Sequence, residues 1–138
     1  MDLGTNMEQL GASMEQRFAL LLQANAISQR AHNGGLQALA LIDKELGLPH
    51  DNEQYQMALT HLCRAADRIW QGDAIKEGLD SEVLDEIYED SDVDIVLNLH
   101  SKVLSSMDLN AVPTAEESFM IANIYSLYQV GKTLQNQE

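Results

Sequence analysis

Apolar residues recur at helical spacing along almost the whole chain, and no segment alternates apolar and polar residues between hairpin turns. The clearest pattern begins after Asp51 and Gln54, which can cap a helix, and it ends near Gly72. Its apolar residues form one stripe on a helix: Tyr55, Ala58, Leu59, Leu62, Ala65, Ala66 and Ile69. This periodicity restricts the chain to an all-α fold, and we predict a compact bundle of five to six helices.

The first part of the pattern is interrupted by two adjacent glycines. Ser13 with Gln16 forms a capping box for a helix that we predict to run towards Ala31. Gly34 and Gly35 then end that helix or kink it, because a glycine costs about 1 kcal/mol inside a helix. We therefore interpret residues 1–35 as a partly helical N-terminal extension and residues 36–138 as the main helical domain.

Four further helices complete the predicted bundle. They run from Leu36 to Leu46, from about Asp80 to Glu89, from about Asp92 to Ser106, and from Thr114, whose capping partner is Glu117, to near the end of the chain. In the short helix and the last helix we expect these side chains to face the core: Val83, Leu84, Ile87, Tyr88, Phe119, Ile121, Ala122, Ile124, Leu127 and Tyr128.

The length and the cysteine content suit one cytoplasmic domain. A chain of 138 residues buries roughly two-thirds of its unfolded surface, so it can fold without a disulfide or a metal. The single cysteine, Cys63, cannot form a bridge within the chain, which agrees with a reducing compartment. No secretory signal and no apolar run near the roughly 20 residues of a membrane span is visible. We expect a cytoplasmic protein without membrane contact.

The charge of the chain argues against nucleic acids as partners. The formal net charge is −14, and only eight residues are lysine or arginine. These eight are scattered, whereas a nucleic-acid binder gains affinity from clustered cations that replace counterions on phosphates. We expect no direct contact with DNA or RNA.

One histidine lies among arginines in this acidic chain. Helical spacing places His61 one turn from Arg64 and two turns from Arg68, roughly on one side of the predicted third helix. A positive field favours the neutral, nucleophilic imidazole, and guanidinium groups are matched donors for phosphate. We predict that His61 accepts a phosphoryl group and that Arg64 and Arg68 stabilise it. The alternative is a surface histidine beside two solubilising arginines.

The sequence gives little support for nucleophilic catalysis, metal binding or nucleotide binding. Cys63 has no base beside it and no second ligand at helical spacing, so we expect a small buried residue. Nucleophile elbows and phosphate loops are missing from the sequence, and we predict no enzyme, catalytic residue, metal or cofactor.

Two further groups of residues have structural interpretations. The acidic run Asp90, Asp92 and Asp94 resembles a calcium loop, but Ile95 replaces the required glycine, and we interpret the run as a helix start. The remaining histidines are expected to be structural, with satisfied hydrogen bonds: His32, His50 and His100.

Three segments together resemble the PRD, the phosphotransferase-system regulation domain of bacterial antiterminators and transcriptional activators. They read LGLPHDN, ALTHLCRAADRIWQG and VPTAEESFMIANIY, and the resemblance covers Leu36 to Leu134. His61 and Arg68 stand at the family's histidine and arginine positions. Glu116 stands at the glutamate of the second signature, and Asn123 stands where that signature usually carries a histidine.

The resemblance implies a non-enzymatic regulatory domain, usually a homodimer, that is phosphorylated on histidine by the phosphocarrier protein or by a sugar-permease component. Family members normally carry an RNA-binding or helix-turn-helix domain, for which this chain has no room. We therefore expect a stand-alone module that acts on a separate transcription regulator by protein–protein contact. Because Asn123 replaces the second histidine, one signal at His61 is expected.

Two other functions remain open at this point. The missing second histidine, together with Thr60 before His61, favours a PRD that has lost phosphorylation and serves as a dimerisation scaffold. A small-molecule-binding helical protein has less support, because no convergent set of acids, bases and ligands is visible.

Overall fold

A computed structural model describes residues 14–136, and in that range the protein consists of six α-helices without a strand. The helices are α1 (Met14–Gln23), α2 (Gln29–Leu46), α3 (Glu53–Trp70), α4 (Ser81–Glu89), α5 (Val93–Ser106) and α6 (Thr114–Asn136). They pack against one another in a single bundle, with α3 against both α2 and α6. The predicted all-α bundle of five to six helices is confirmed.

Side-chain caps fix where several helices begin. Ser28 accepts a hydrogen bond from the Ala31 backbone N–H at the start of α2. Asn52 accepts one from the Tyr55 N–H at the start of α3, so the cap is Asn52 and the prediction of Asp51 was wrong by one residue. At the other end of α2, Gly47 adopts a left-handed conformation with φ of 62°, which glycine adopts without strain.

The boundary between the first two helices differs from the prediction. The first helix ends at Gln23 and not near Ala31, and α2 begins at Gln29 and continues unbroken through Gly34 and Gly35. Its course crosses residues 35 and 36, where the predicted extension met the main domain. The predicted capping box of Ser13 lies outside the described residues.

Close packing explains why glycine is tolerated inside α2. A Cβ atom built on Gly35 would lie 2.6 Å from the Sγ atom of Cys63 and 3.2 Å from the Phe18 ring. The helix interior thus gives up some intrinsic stability so that α1 and α3 can approach α2 closely. The two glycines therefore mark a close contact between helices and not the end of a helix.

The core lies around α3, and α1 is part of it. Met14 and Phe18 of α1 are fully buried, so residues before position 36 belong to the same core as α3. Helix α4, in contrast, buries only Ile87. The prediction that Val83, Tyr88 and Phe119 face inward was wrong, because these side chains are exposed. A nine-residue helix on the surface of the bundle has room for only a narrow contact stripe.

The acidic run ties the junction of α4 and α5 to α6. Asp90 accepts a hydrogen bond from the Tyr125 hydroxyl at 2.7 Å, and Asp92 accepts one from the Tyr128 hydroxyl at 2.8 Å. Lys132 adds an ion pair to Asp92 at 3.0 Å. These carboxylates are therefore structural anchors. None of the helices in residues 14–136 is both long enough and apolar enough to cross a membrane.

Candidate functional site

A groove of about 490 Å³ lies between α3 and α6. It brings together all five residues that the sequence nominated from two distant segments: His61, Arg64, Arg68, Glu116 and Asn123. The remaining residues of its wall are Thr60, Ala65, Ile75, Phe119 and Met120.

Helical geometry explains how these side chains meet. His61, Arg64 and Arg68 recur at one-turn intervals along α3, while Glu116 and Asn123 are seven residues apart on α6, which is close to two turns. Both helices bury their apolar faces against each other, so the polar edges of the two faces line one shared groove. The periodicity of each helix sets the spacing of the groove residues along it. The packing of α3 against α6 decides which of these residues face each other.

The outer part of the groove carries two exposed side chains. His61 and Arg64 are both exposed, and neither has a hydrogen bond or an ion pair to another residue between positions 14 and 136. An unpaired guanidinium is notable in a chain of net charge −14, because carboxylates are abundant. The imidazole of His61 is accessible to a partner, and Arg64 keeps all of its donors available.

Arg68 forms an ion pair with Glu116 at the inner part of the groove. Its Nε atom donates to Glu116 Oε2 at 2.8 Å, and its second terminal nitrogen donates to Glu116 Oε1 at 2.9 Å. Glu116 is 0% exposed, whereas the Arg68 side chain is 38% exposed. This two-pronged geometry is the strongest form of an arginine–carboxylate pair. Three N–H donors of Arg68 remain for other partners.

The electrostatics of this pair keep both groups charged. Hydrogen bonding by Arg68 lowers the pKa of Glu116 against the opposing effect of burial, and the Ile75 N–H lowers it further. The same hydrogen bonds raise the pKa of Arg68. A buried carboxylate without such partners would protonate or move towards water. Arg68 thus has a structural partner in addition to its predicted role beside a phosphate.

Glu116 also holds the loop between α3 and α4. Its Oε2 atom accepts a hydrogen bond from the Ile75 N–H at 3.1 Å. Two residues further along α6, the Ser118 hydroxyl accepts one from the Leu79 N–H at 2.8 Å. A Cβ atom on Gly78 would lie only 3.0 Å from the Ser118 Oγ atom, so the loop runs directly over the first turn of α6. The second signature therefore anchors a loop as well as lining the groove.

Asn123 uses its side chain within its own helix. Its amide nitrogen donates to the Phe119 backbone oxygen at 3.0 Å. The residue lies in the groove wall, and no hydrogen bond joins it to His61, Arg64 or Arg68 in the described structure. Asparagine has no ring nitrogen that could accept a phosphoryl group, and His61 is the histidine that lines this groove.

Sequence spacing missed one cation beside the groove. Arg17 of α1 donates from Nε to the Thr60 hydroxyl oxygen at 3.0 Å, and Thr60 in turn donates to the Gln56 backbone oxygen at 2.8 Å. Thr60 lines the groove next to His61. Because 43 residues separate Arg17 from Thr60, no local pattern could have indicated this contact.

The remaining histidines lie away from the groove. His50 binds Asp43 at 2.7 Å and Glu15 at 3.4 Å; burial opposes its protonation, but these carboxylates outweigh it and raise the pKa. His100 is buried, and burial lowers its pKa against the opposing effect of the Glu117 carboxylate, which accepts a hydrogen bond from its ring. Its Nδ1 atom has no partner in the described part of the chain, so the expected full satisfaction of His100 was wrong.

Cys63 is buried, as expected for a small core residue. Burial raises the pKa of its thiol to about 12, with a smaller contribution from Asp67. At that pKa the thiol carries its proton at neutral pH and is a poor nucleophile. Across residues 14–136, no three side chains of histidine, cysteine, aspartate or glutamate are grouped closely enough to hold a metal ion.

The fold and the groove define a small all-α protein with an accessible histidine and arginines between two packed helices. The chain is 36% identical over 115 residues to the uncharacterized protein YhfY of Escherichia coli strain K12. The match covers 83% of this chain and 94% of that relative, and the chain belongs to the YhfY family. No protein-family model matches the chain, and no solved structure shows a significant match.

Proposed function

We propose that the protein is a PRD-like regulatory module that senses the phosphotransferase system through phosphorylation of His61. The observation that carries the proposal is the shared groove, in which the residues of both PRD-like signatures meet around an exposed histidine. Arg64 is unpaired among residues 14–136 and is the first donor for a phosphate on His61. Arg68 lies one turn further along the same helix.

The chemistry requires only a donor and the free imidazole ring. A ring nitrogen of His61 attacks the phosphorus atom of a phosphohistidine on the phosphocarrier protein or on a permease component. A new N–P bond forms as the donor's N–P bond breaks, and the donor nitrogen keeps the electron pair of the broken bond. The product places about −1.5 to −2 charges in the groove at neutral pH, where Arg64 can pair with them.

The signal would be read as a change in association. In our proposal the module is a cytoplasmic homodimer that acts on a separate transcription regulator by protein–protein contact, without touching nucleic acid or membrane. A protein of net charge −14 gains further repulsion from each phosphoryl group, so phosphorylation is suited to changing how its copies or partners associate.

Phosphoryl transfer is tested by incubating the protein with the general phosphotransferase enzymes and labelled phosphoenolpyruvate. We expect label on the wild type and on His32→Ala, a partly exposed histidine outside the groove, and no label on His61→Ala. Label that persists in His61→Ala would contradict the assignment of the phosphoacceptor. Unlabelled wild type in the presence of an active phosphocarrier would contradict phosphorylation itself.

A dimerisation scaffold without phosphorylation is the second candidate. Two observations favour it: Asn123 cannot accept a phosphoryl group, and Arg68 already has a buried partner in Glu116. The scaffold predicts one oligomeric state whether or not the phosphotransferase enzymes are active. Sedimentation velocity before and after the phosphorylation reaction separates the two functions, because only the regulatory module changes its association.

A further inference from the structure

Arg68 stands between the His61 groove and a buried carboxylate. Its side chain lines the groove on one side and, on the other, a second groove with Gln71 and the start of α2. Arg64, one turn away on α3, lines the same two grooves. A cation that is 38% exposed can respond to a new charge in the groove, whereas its partner Glu116 is 0% exposed.

Glu116 in turn connects Arg68 to the α3–α4 loop, residues 71–80. A single oxygen, Oε2, accepts from both Arg68 and the Ile75 N–H. The second attachment of the loop is the bond from the Leu79 N–H to Ser118, two residues along α6. The loop is therefore joined to α6 by two adjacent hydrogen bonds, one of which depends on the charge of Glu116.

Few other contacts hold the segment directly after the loop, which is the N-terminal end of α4. Helix α4 buries only Ile87, and its Val83 and Tyr88 side chains are exposed. Segments with little buried apolar surface open at a low free-energy cost. The loop therefore holds the N-terminal end of α4, whereas Asp90 holds its C-terminal end through the Tyr125 hydroxyl.

We propose that negative charge at His61 is transmitted through Arg68 and Glu116 to the α3–α4 loop and loosens its attachment to α6. A phosphoryl group presents three acceptor oxygens, so it can bind Arg64 and also draw the free donors of Arg68. Two anions then share one guanidinium, and the pairing of the buried Glu116 weakens. Its hydrogen bond to Ile75 weakens with it, and the loop and the N-terminal end of α4 gain freedom.

The coupling rests on the proposed function only for the source of the charge, so a permanent charge tests it separately. We compare His61→Glu with His61→Gln, both in an Arg64→Gln background, where Arg68 is the remaining arginine of α3 in the groove. All of these substitutions replace exposed side chains. Met57→Glu is the matched control, because Met57 is 52% exposed on α3 and lies outside the groove.

The measurement is amide hydrogen exchange of residues 71–80, with residues 36–46 of α2 as the internal reference. We expect exchange of the Ile75 amide to be about tenfold faster in the His61→Glu variant than in the His61→Gln variant, since a hydrogen bond to a charged acceptor contributes at least that factor. The Leu79 amide, which binds the neutral Ser118 hydroxyl, should change less. Met57→Glu should leave the loop unchanged.

Equal loop exchange in the glutamate and glutamine variants would overturn the coupling, even if His61 is phosphorylated. The opposite combination is also decisive. Faster loop exchange in the His61→Glu variant, together with no label on wild-type His61, would support the coupling and overturn the proposed source of the charge.

Discussion

Removing the Arg68 side chain should cost far more stability than removing its neighbour Arg64. Arg68→Met deletes two charged hydrogen bonds of 2.8 and 2.9 Å and leaves a carboxylate that is 0% exposed without its cation. Breaking a buried pair in this way costs about 3–5 kcal/mol. Because Arg68 itself is 38% exposed and water screens part of the interaction, we expect about 2–3 kcal/mol.

Urea unfolding followed by circular dichroism at neutral pH measures this loss. Arg64→Met is the matched control, since Arg64 is exposed and has no ion pair within residues 14–136, and its effect should stay within about 0.5 kcal/mol. The double variant Arg68→Met with Glu116→Gln should recover part of the loss. It removes the unpaired charge and keeps a side-chain oxygen for the Ile75 N–H.

The pH dependence follows from the sign of the Glu116 pKa shift. In the wild type this pKa is lowered, so the pair stabilises the fold above the unfolded-state pKa near 4.5 and is lost as pH falls through the folded-state value. In Arg68→Met the carboxylate can protonate more easily, so the difference between the two proteins should shrink in acid. Equal stability of Arg68→Met and Arg64→Met at neutral pH would refute this reasoning.

Three further predictions concern packing and the structural histidines. Gly35→Ala should destabilise the fold by about 1–3 kcal/mol through its clash with Cys63, whereas Gly34→Ala has 3.6 Å of room and should gain up to about 1 kcal/mol, as thermal unfolding of both would show. The raised pKa of His50 adds stability below about pH 6.5 that disappears as pH rises through the folded-state value, so His50→Gln should lose more stability at pH 5.5 than at pH 8. The lowered pKa of His100 reduces the stability of the fold as pH drops below about 6.5, because the unfolded state binds the proton more readily. His100→Leu should lessen this loss, and urea unfolding midpoints measured across this pH range would show it.

The helices and the set of groove residues were predictable because both depend on local spacing. The apolar stripe of α3 and the capping box at Thr114 are periodic or short-range signals, and they place His61 and Glu116 on the correct helices. Glu116 and Asn123 were nominated by the resemblance of a separate segment to the same family, but their meeting with His61 in one groove was not predicted.

Contacts between distant segments could not be predicted in the same way. The bond from Arg68 to Glu116 spans 48 residues, and the bond from Arg17 to Thr60 spans 43. The same limit explains the error at Gly35: its poor helix propensity suggested a break, but close packing against Cys63 keeps it inside α2. Tertiary packing determines both long-range hydrogen bonds and the position of Gly35 inside the helix.

The number of phosphoryl groups that each chain accepts from an active phosphocarrier tests the role of His61 most directly. Acid-labile, base-stable label should reach about one group per chain in the wild type and none in His61→Ala. The label on Arg68→Gln shows whether the pairing of Arg68 with Glu116 affects the yield of phosphorylation. An unlabelled wild type, or equal labelling of the wild type and His61→Ala, would contradict the central claim that His61 is the residue through which this groove receives its signal.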